Sequence, residues 1–406
     1  MAVGLSGLPP LHPVPGIRLG TVAAGLRKAD RRDLVVIECA VGTEAAAVFT
    51  NNRFCAAPVQ VARAHLGRCT PRALVINTGF ANAGTGEAGL DDARATCRGV
   101  AHALGCGPEE VLPFSTGVIG ERFPLERLLA ALPDAVGSRS ENGWGDAAHG
   151  IMTTDTVPKG ASRRIEIGGC SVTITGIAKG AGMIQPNMAT MLAFVATDAA
   201  VSREALETCV RAAADASFNR ITVDGDTSTN DACVLLATGA AGNPRIERPS
   251  GEAYEKLCAA VCEVCIELAQ AIVRDAEGAT KFITIEVCDG ESAADCLEVA
   301  YTIAHSPLVK TAFFASDPNW GRILAAIGRA RIARLDVSRV AIWINDVCIV
   351  RSGGCAPDYS EAAGQAAMRP AEILVRVSLG AGRFSERVWT CDLSHDYVRI
   401  NAEYRS

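Results

Sequence analysis

The sequence predicts an α/β protein of mixed α+β layers, with antiparallel as well as parallel strand pairing. Three observations carry this. Short apolar, β-branched runs alternate with amphipathic helical stretches along most of the chain. Residues 340–350 read as a hairpin turning at Asn345-Asp346, which calls for antiparallel pairs. Tandem repeats and low-complexity linkers are missing from the 406 residues, a length that suffices for two or three domain-sized cores or one large one.

The elements follow in order. Residues 73–79, Ala-Leu-Val-Ile-Asn-Thr-Gly, form a strand that runs into a glycine-rich loop. Residues 90–104 carry the spacing of an amphipathic helix. Residues 171–175, Ser-Val-Thr-Ile-Thr, form a β-branched strand, and residues 191–196 an apolar run typical of a buried one. Ser202 caps a helix that reaches about Ala216. Residues 254–272 hold strong helix formers without glycine or proline. Residues 373–379 and 387–400 supply closing strands.

Composition excludes several function classes. A hydrophobic share of 49% against 21% charged residues belongs to a folded globular chain rather than a disordered one. The longest apolar runs fall short of a membrane span. A net charge of −6 argues against nucleic acid, and the arginines of residues 329–339 lack interleaved aromatics, so they form a solvated face. The N-terminus has neither a basic n-region nor a long apolar core, and its first arginine is Arg18; the expectation is a cytoplasmic protein whose sixteen cysteines are reduced thiols. Cys258, Cys262 and Cys265 have the C-x3-C-x2-C spacing of an iron–sulfur cradle, yet i, i+4, i+7 positions in a helix share one core face. The six histidines show no zinc spacing, so no metal is expected. The glycine pairs at 180/182 and 380/382 lack the remaining residues of a nucleotide loop.

Chemistry concentrates at residues 179–192, Lys-Gly-Ala-Gly-Met-Ile-Gln-Pro-Asn-Met-Ala-Thr-Met-Leu. A threonine hydroxyl needs an adjacent base to act as a nucleophile. Breaking the Ala189–Thr190 bond gives Thr190 an α-amine that titrates near ~7.7–8.0 and accepts the hydroxyl proton. One cut makes both nucleophile and base. The competing reading is that Thr190 is an ordinary strand residue. The glycines, Lys179 and Pro186 just ahead of a buried strand favour a strained turn that brings the hydroxyl to the preceding carbonyl.

That segment resembles the processing site of the ornithine acetyltransferase (glutamate N-acetyltransferase, ArgJ) family of arginine biosynthesis. Further blocks resemble the same family in order: Ser-Thr-Gly-Val-Ile-Gly at 115–120, Met-Thr-Thr-Asp-Thr at 152–156, Ser-Phe-Asn-Arg-Ile-Thr-Val-Asp-Gly-Asp at 217–226, Glu-Gly-Ala-Thr-Lys at 277–281, Phe-Ala-Ser-Asp-Pro-Asn-Trp-Gly-Arg at 314–322 and Tyr-Val-Arg-Ile-Asn-Ala-Glu-Tyr at 397–404. The match extends from about residue 17 to the C-terminus.

The resemblance implies an α/β/β/α sandwich of the self-processing type, cut between Ala189 and Thr190 into two intertwined chains, an α chain of residues 1–189 and a β chain of 190–406. It implies that Thr190 is the nucleophile, that Thr116 and Gly117 form the oxyanion hole, and that Thr153 or its neighbour Thr154, Lys179, Thr190, Glu277, Asn401 and Ser406 bind substrate. Lys179 suits an α-carboxylate and Glu277 an ammonium. The implied reaction is ping-pong: acetyl passes from N-acetylornithine to Thr190 and then to glutamate, without a cofactor, acetyl-CoA being an optional second donor. The implied assembly is a heterotetramer of two αβ units, with neither nucleic acid nor membrane as a partner. Phe80, Gln185 and Ser406 depart from the residues usual in the family. The alternatives are a self-processing aminopeptidase or amidase, in which water takes the place of glutamate, and an uncut small-molecule binding protein.

Overall fold

The structure, a computed structural model, describes residues 2–185 and 191–403. The chain forms two compact units, a larger one of residues 7–219 and 226–272 and a smaller one of residues 1–6, 220–225 and 273–406.

The larger unit contains β1 (Ile17–Val22), β2 (Leu34–Cys39), β3 (Glu44–Phe49), α1 (Ala57–Leu66), β4 (Ala73–Phe80), α2 (Gly86–Leu104), β5 (Val111–Val118), α3 (Leu125–Gly137), α4 (Trp144–Gly150), β6 (Lys159–Ile167), β7 (Cys170–Lys179), β8 (Leu192–Thr197), α5 (Arg203–Ala216), β9 (Ala232–Ala237) and α6 (Glu252–Arg274). Its strands form two sheets, β1-β2-β4-β5 and β3-β9-β8-β7-β6. The pleat sends alternate residues to opposite faces. Val35 and Ile37 of β2 therefore join Leu74, Ile76 and Phe114 in a core shared with Ile177, Phe194, Val234 and Leu236 of the second sheet. Leu34 and Val36 point the other way, to Val100 of α2 and Leu128 and Leu132 of α3. On the outer face of the second sheet α5 packs against β3 and β9. Gly176 of β7 lets Val264 and Leu268 of α6 come close, since a Cβ there would lie 3.0–3.2 Å from Val195 and both helical side chains. The layer order is α/β/β/α, as the resemblance implies.

The smaller unit contains β10 (Phe282–Gly290), α7 (Ala293–Ala304), α8 (Pro307–Phe314), α9 (Trp320–Gly328), β11 (Ala341–Ile344), β12 (Val347–Arg351), β13 (Gly354–Cys355), α10 (Glu361–Met368), β14 (Glu372–Ser378), β15 (Phe384–Cys391) and α11 (His395–Ala402). One sheet, β13-β12-β11-β14-β10-β15, backs onto the helices. Ile283, Ile285 and Val375 of the sheet meet Val299, Ile303 and Phe313 in a single core.

Most expected elements stand where periodicity puts them. The β11–β12 hairpin turns at Asn345, whose φ of +50° suits asparagine. Ser202 accepts a hydrogen bond from the Ala205 N–H at 3.3 Å, capping α5. Cys258, Cys262 and Cys265 ride on α6, with Cys258 against Cys209 and Cys265 against Cys233. Two expectations need correction. The strand over 171–175 continues to Lys179, so Lys179 ends a strand rather than sitting in a loop. The strand over 387–400 stops at Cys391, and residues 395–402 are helix; Asp396 and Arg399 pair at i, i+3. α11 has no buried residues, and its N-terminal flank is tied to the Gly278 carbonyl by Ser394.

Gly20 of β1 allows α3 to pass close, because a Cβ there would lie 1.9 Å from the Ala135 carbonyl oxygen. Gly20→Ala is expected to destabilise the chain by about 1–3 kcal/mol in urea unfolding. Gly137, with open space around it, provides the contrast. Gly137→Ala is expected to stabilise by about 0.5–1 kcal/mol in the same assay.

Candidate active site

β4 and β5 run parallel, with Thr78 opposite Thr116 and Gly79 opposite Gly117. The carboxyl ends of parallel strands are the usual place for a ligand site. The register shifts at Phe80, which pairs with both Thr116 and Val118, a bulge that frees the end of β5 from regular pairing. Only glycine fits at 117: its φ is +138°, and a Cβ would lie 2.2 Å from the Gly79 carbonyl carbon. Asn77 fixes this corner, donating to the Phe80 carbonyl at 2.9 Å and accepting from the Ser115 hydroxyl at 2.6 Å. Phe80, one of the departures, carries the Arg27 guanidinium over its ring at 5.5 Å.

Lys179 ends β7 and reaches across from the second sheet. Its Nζ donates to Thr116 Oγ1 at 3.3 Å, and the lysine is 3% exposed. A hydroxyl oxygen that accepts from an ammonium keeps its own proton to donate elsewhere. Thr116 therefore can serve an oxyanion, beside the N–H of a glycine held open by the bulge.

A buried ion pair lies next to it. Asp155 Oδ1 accepts from Lys159 Nζ at 2.6 Å and from the Gly180 N–H at 2.8 Å, and both side chains of the pair are sealed from solvent. Its Oδ2 accepts from the Thr153 N–H at 2.9 Å. One carboxylate thus ties the Thr153–Thr154 segment to the end of β7. Burial pushes the Asp155 carboxyl upward, but Lys159, Lys179 and the Gly180 N–H outweigh it and hold the group well below the usual range.

Asp231, just before β9, behaves in the opposite way. Its Oδ1 accepts from the Met191 N–H at 3.0 Å, and it is 1% exposed. Burial raises its carboxyl well above the ordinary value, with the Met191 N–H and Lys179 opposing only in part. Two carboxyls near one lysine are therefore shifted in opposite directions.

Glu277 and Asn401 lie in the smaller unit and meet each other. Asn401 Nδ2 donates to Glu277 Oε2 at 2.7 Å and to the Tyr397 carbonyl at 3.0 Å. Tyr397 in turn donates its hydroxyl to Asp224 Oδ2 at 3.2 Å. α11 docks because Ser394 donates to the Gly278 carbonyl at 2.6 Å and because Gly278, at φ +70°, leaves room for the Tyr397 N–H.

The structure therefore brings Thr116, Gly117 and Lys179 together, joins Thr153 to them through Asp155, and pairs Glu277 with Asn401. Thr154 is half-buried in the same segment as Thr153, whose N–H donates to the carboxylate. Ala189, Thr190 and Ser406 lie outside the described residues. The sequence patterns do not single out Lys159 or Asp231, and Asp155, Asp224 and Tyr397 stand in family-like blocks without an assigned role. Only burial and a long-range partner distinguish such residues, and neither has a sequence signature. Among the described residues no helix is long and apolar enough to cross a membrane.

Comparison with known proteins adds the following. The family model described as "ArgJ family" matches residues 18–406. The chain is 56% identical over 406 residues, all of both chains, to the arginine biosynthesis bifunctional protein ArgJ of Pseudomonas fluorescens (strain Pf0-1). It has the same identity and coverage with the protein of that name from Pseudomonas syringae pv. tomato. Among solved structures, the arginine biosynthesis bifunctional protein ArgJ of Bacillus halodurans is 37% identical with a TM-score of 0.49, covering 51% of this chain and 96% of that one.

The Asp155–Lys159 pair makes a stability prediction. Lys159→Met strands a buried carboxylate and is expected to cost about 3–5 kcal/mol in urea unfolding at pH 7. The double variant Asp155→Leu/Lys159→Met should recover most of that loss. The folded carboxyl titrates below its unfolded value of 3.8, so its contribution is present above that pH and is lost as pH falls through and below it. Acid titration of unfolding, with and without the pair, measures the difference.

Proposed function

The chain belongs to the ArgJ family and is an acyltransferase of arginine biosynthesis, and we propose on that basis that it is a glutamate N-acetyltransferase working through an acetyl ester on Thr190. The observation that carries the site reading is the Lys179–Thr116 contact at the open end of β5. It places a buried cation beside a hydroxyl and a glycine N–H suited to an oxyanion.

The reaction begins with the chain itself. Thr190 Oγ attacks the Ala189 carbonyl, the C–N bond breaks as the nitrogen takes up a proton, and water hydrolyses the resulting ester. The products are an α chain of residues 1–189 and a β chain of 190–406 whose first residue has its own amine. β7 and β8 come from the two sides of that cut and pair from Ile174–Thr197 to Lys179–Leu192, which supports chains that stay intertwined.

The amine of Thr190 then takes the hydroxyl proton as Oγ attacks the acetyl carbonyl of N-acetylornithine. The Thr116 hydroxyl and the Gly117 N–H stabilise the tetrahedral oxyanion. Ornithine leaves after its amine takes the proton back, and the α-amine of glutamate attacks the acetyl ester in the second half. Lys179 receives the α-carboxylate common to both amino acids, with Thr153 or Thr154 beside it. Glu277, oriented by Asn401, receives ornithine's ammonium, and Ser406 completes the substrate-binding set of the reading. These steps call on a hydroxyl, an amine and two donors, so the reading includes no cofactor. The relatives are named bifunctional, which supports acetyl-CoA as a second donor to glutamate. The same reading makes the enzyme cytoplasmic, a heterotetramer of two αβ units, acting on small molecules rather than nucleic acid or membrane.

Denaturing gels of the purified enzyme are expected to give two chains, the second starting at Thr190, and Thr190→Ala a single inactive one. Ornithine release from N-acetylornithine is expected to depend on glutamate; release indifferent to glutamate would identify a hydrolase. Thr116→Val is expected to lower kcat by about 100- to 1000-fold with KM little changed, read from steady-state transfer kinetics. Formation of acetylglutamate from acetyl-CoA and glutamate tests the second donor, and its absence would make the enzyme monofunctional.

A further inference from the structure

We propose that Asn230 and Asp231 are positioning residues for both self-cleavage and acetyl transfer, because one holds the residue before Thr116 and the other the residue after Thr190. The inference rests on the acetyltransferase reading of Thr116 and Thr190 and adds two side chains that the reading does not use.

The tetrapeptide Ser228-Thr229-Asn230-Asp231 precedes β9 and is buried throughout, at 3%, 5%, 6% and 1% exposure. Its main chain is anchored from residues 50–56: the Thr50 N–H donates to the Asp231 carbonyl at 3.0 Å, and the Ala56 N–H to the Thr229 carbonyl at 2.9 Å. From this fixed base two side chains reach in different directions. Asn230 Nδ2 donates to the Ser115 carbonyl at 2.9 Å and to the Ala81 carbonyl at 2.7 Å, while its Oδ1 accepts from the Thr229 hydroxyl at 2.5 Å. The Ser115 carbonyl shares a planar peptide unit with the Thr116 N–H, so this bond sets the plane from which Thr116 projects. Asp231 Oδ1 accepts from Met191, whose N–H is the peptide link to Thr190, and the Met191 carbonyl accepts from the Ala232 N–H at 3.2 Å. Met191 is thus held at both ends by neighbouring residues of one segment.

The cost of this arrangement argues for a role beyond stability. Asp231 is sealed from solvent, and burial is the largest influence on its carboxyl, ahead of the Met191 N–H and the Ser228 and Thr50 hydroxyls. An apolar side chain of similar size would avoid that desolvation. What an apolar residue cannot supply is an acceptor for the Met191 N–H. Donors to an oxyanion must stand within about 2.7–3.1 Å of where it forms. A misplacement of about 1 Å can cost 100-fold in rate.

Isosteric exchanges separate positioning from packing. Asn230→Asp keeps shape but replaces two donors with a carboxylate facing two carbonyls. Asp231→Asn keeps shape and keeps the acceptor, and Asp231→Ala removes it. Purified precursor is followed on denaturing gels for the first-order rate constant of cleavage, at a temperature well below the melting temperature of every variant so that the chain is folded throughout. Transfer is measured as kcat per cleaved chain and KM for glutamate, alongside the melting temperature. Asn230→Asp and Asp231→Ala are expected to slow both rates by about 100-fold with KM within about threefold. Asp231→Asn is expected to restore both to within about threefold of the starting enzyme. Wild-type rate constants in Asp231→Ala, or a defect in Asp231→Asn equal to that in Asp231→Ala, would overturn the proposal. Should Asn230→Asp not fold, the two Asp231 variants decide. If the unaltered enzyme cleaves but transfers nothing to glutamate, the acetyltransferase reading fails while the cleavage rates still test these two residues.

Discussion

Phe114 of β5 and Phe194 of β8 meet edge to face, centroids 5.1 Å apart, in the core between the two sheets of the larger unit. That packing fixes the separation across which Lys179 reaches Thr116. Aromatic pairs of this kind contribute about 0.5–1.5 kcal/mol beyond the area they bury. Their larger effect here is geometric. A close-packed interior does not slide continuously, so the ends of β5 and β7 keep one spacing. The bulge at Phe80, the glycine at 117 and the end of β7 can then be combined at one end of the sandwich. Loops alone would not hold donors to the tolerance an oxyanion needs.

The polar groups at that end are expensive, and their costs are met in different ways. Asp155 stays ionised because a sealed lysine and two N–H groups surround it. Asp231, with one main-chain N–H on its Oδ1, has its carboxyl raised by burial instead. The same residue type thus has its carboxyl held down in one place and pushed up in another, according to the partners that meet it. Lys179 feels both, which is why its surroundings cannot be inferred from its own neighbours in sequence.

Much of the fold was legible because the chain obeys simple periods. β2 divides its residues between two cores by strict alternation, α5 begins at the serine that caps it, and the β11–β12 turn falls on Asn345. The helix α11 stands where a strand was expected, and what docks it is Gly278, far away in the chain. The site divides in the same fashion. Thr116, Gly117, Lys179, Glu277 and Asn401 stand in segments with a recognisable pattern. Lys159, Asn230 and Asp231 do not, because a buried polar residue is defined by partners 4 to 149 positions distant. Such partnerships exist only after folding.

The pairing of β7 with β8 has a consequence for the order of events in the life of the molecule. β8 is an interior strand, flanked by β7 and β9, and its partners come from both sides of the 189/190 bond. Two separately made fragments would each expose an unpaired strand edge and would have to find one another against aggregation. A single chain holds those edges at high effective concentration until the sheet closes. On the proposed reading, the peptide bond ahead of Thr190 is thus an assembly tether with a limited term: needed while the sheet forms, superfluous once it has, and broken by chemistry that only the finished sheet can perform.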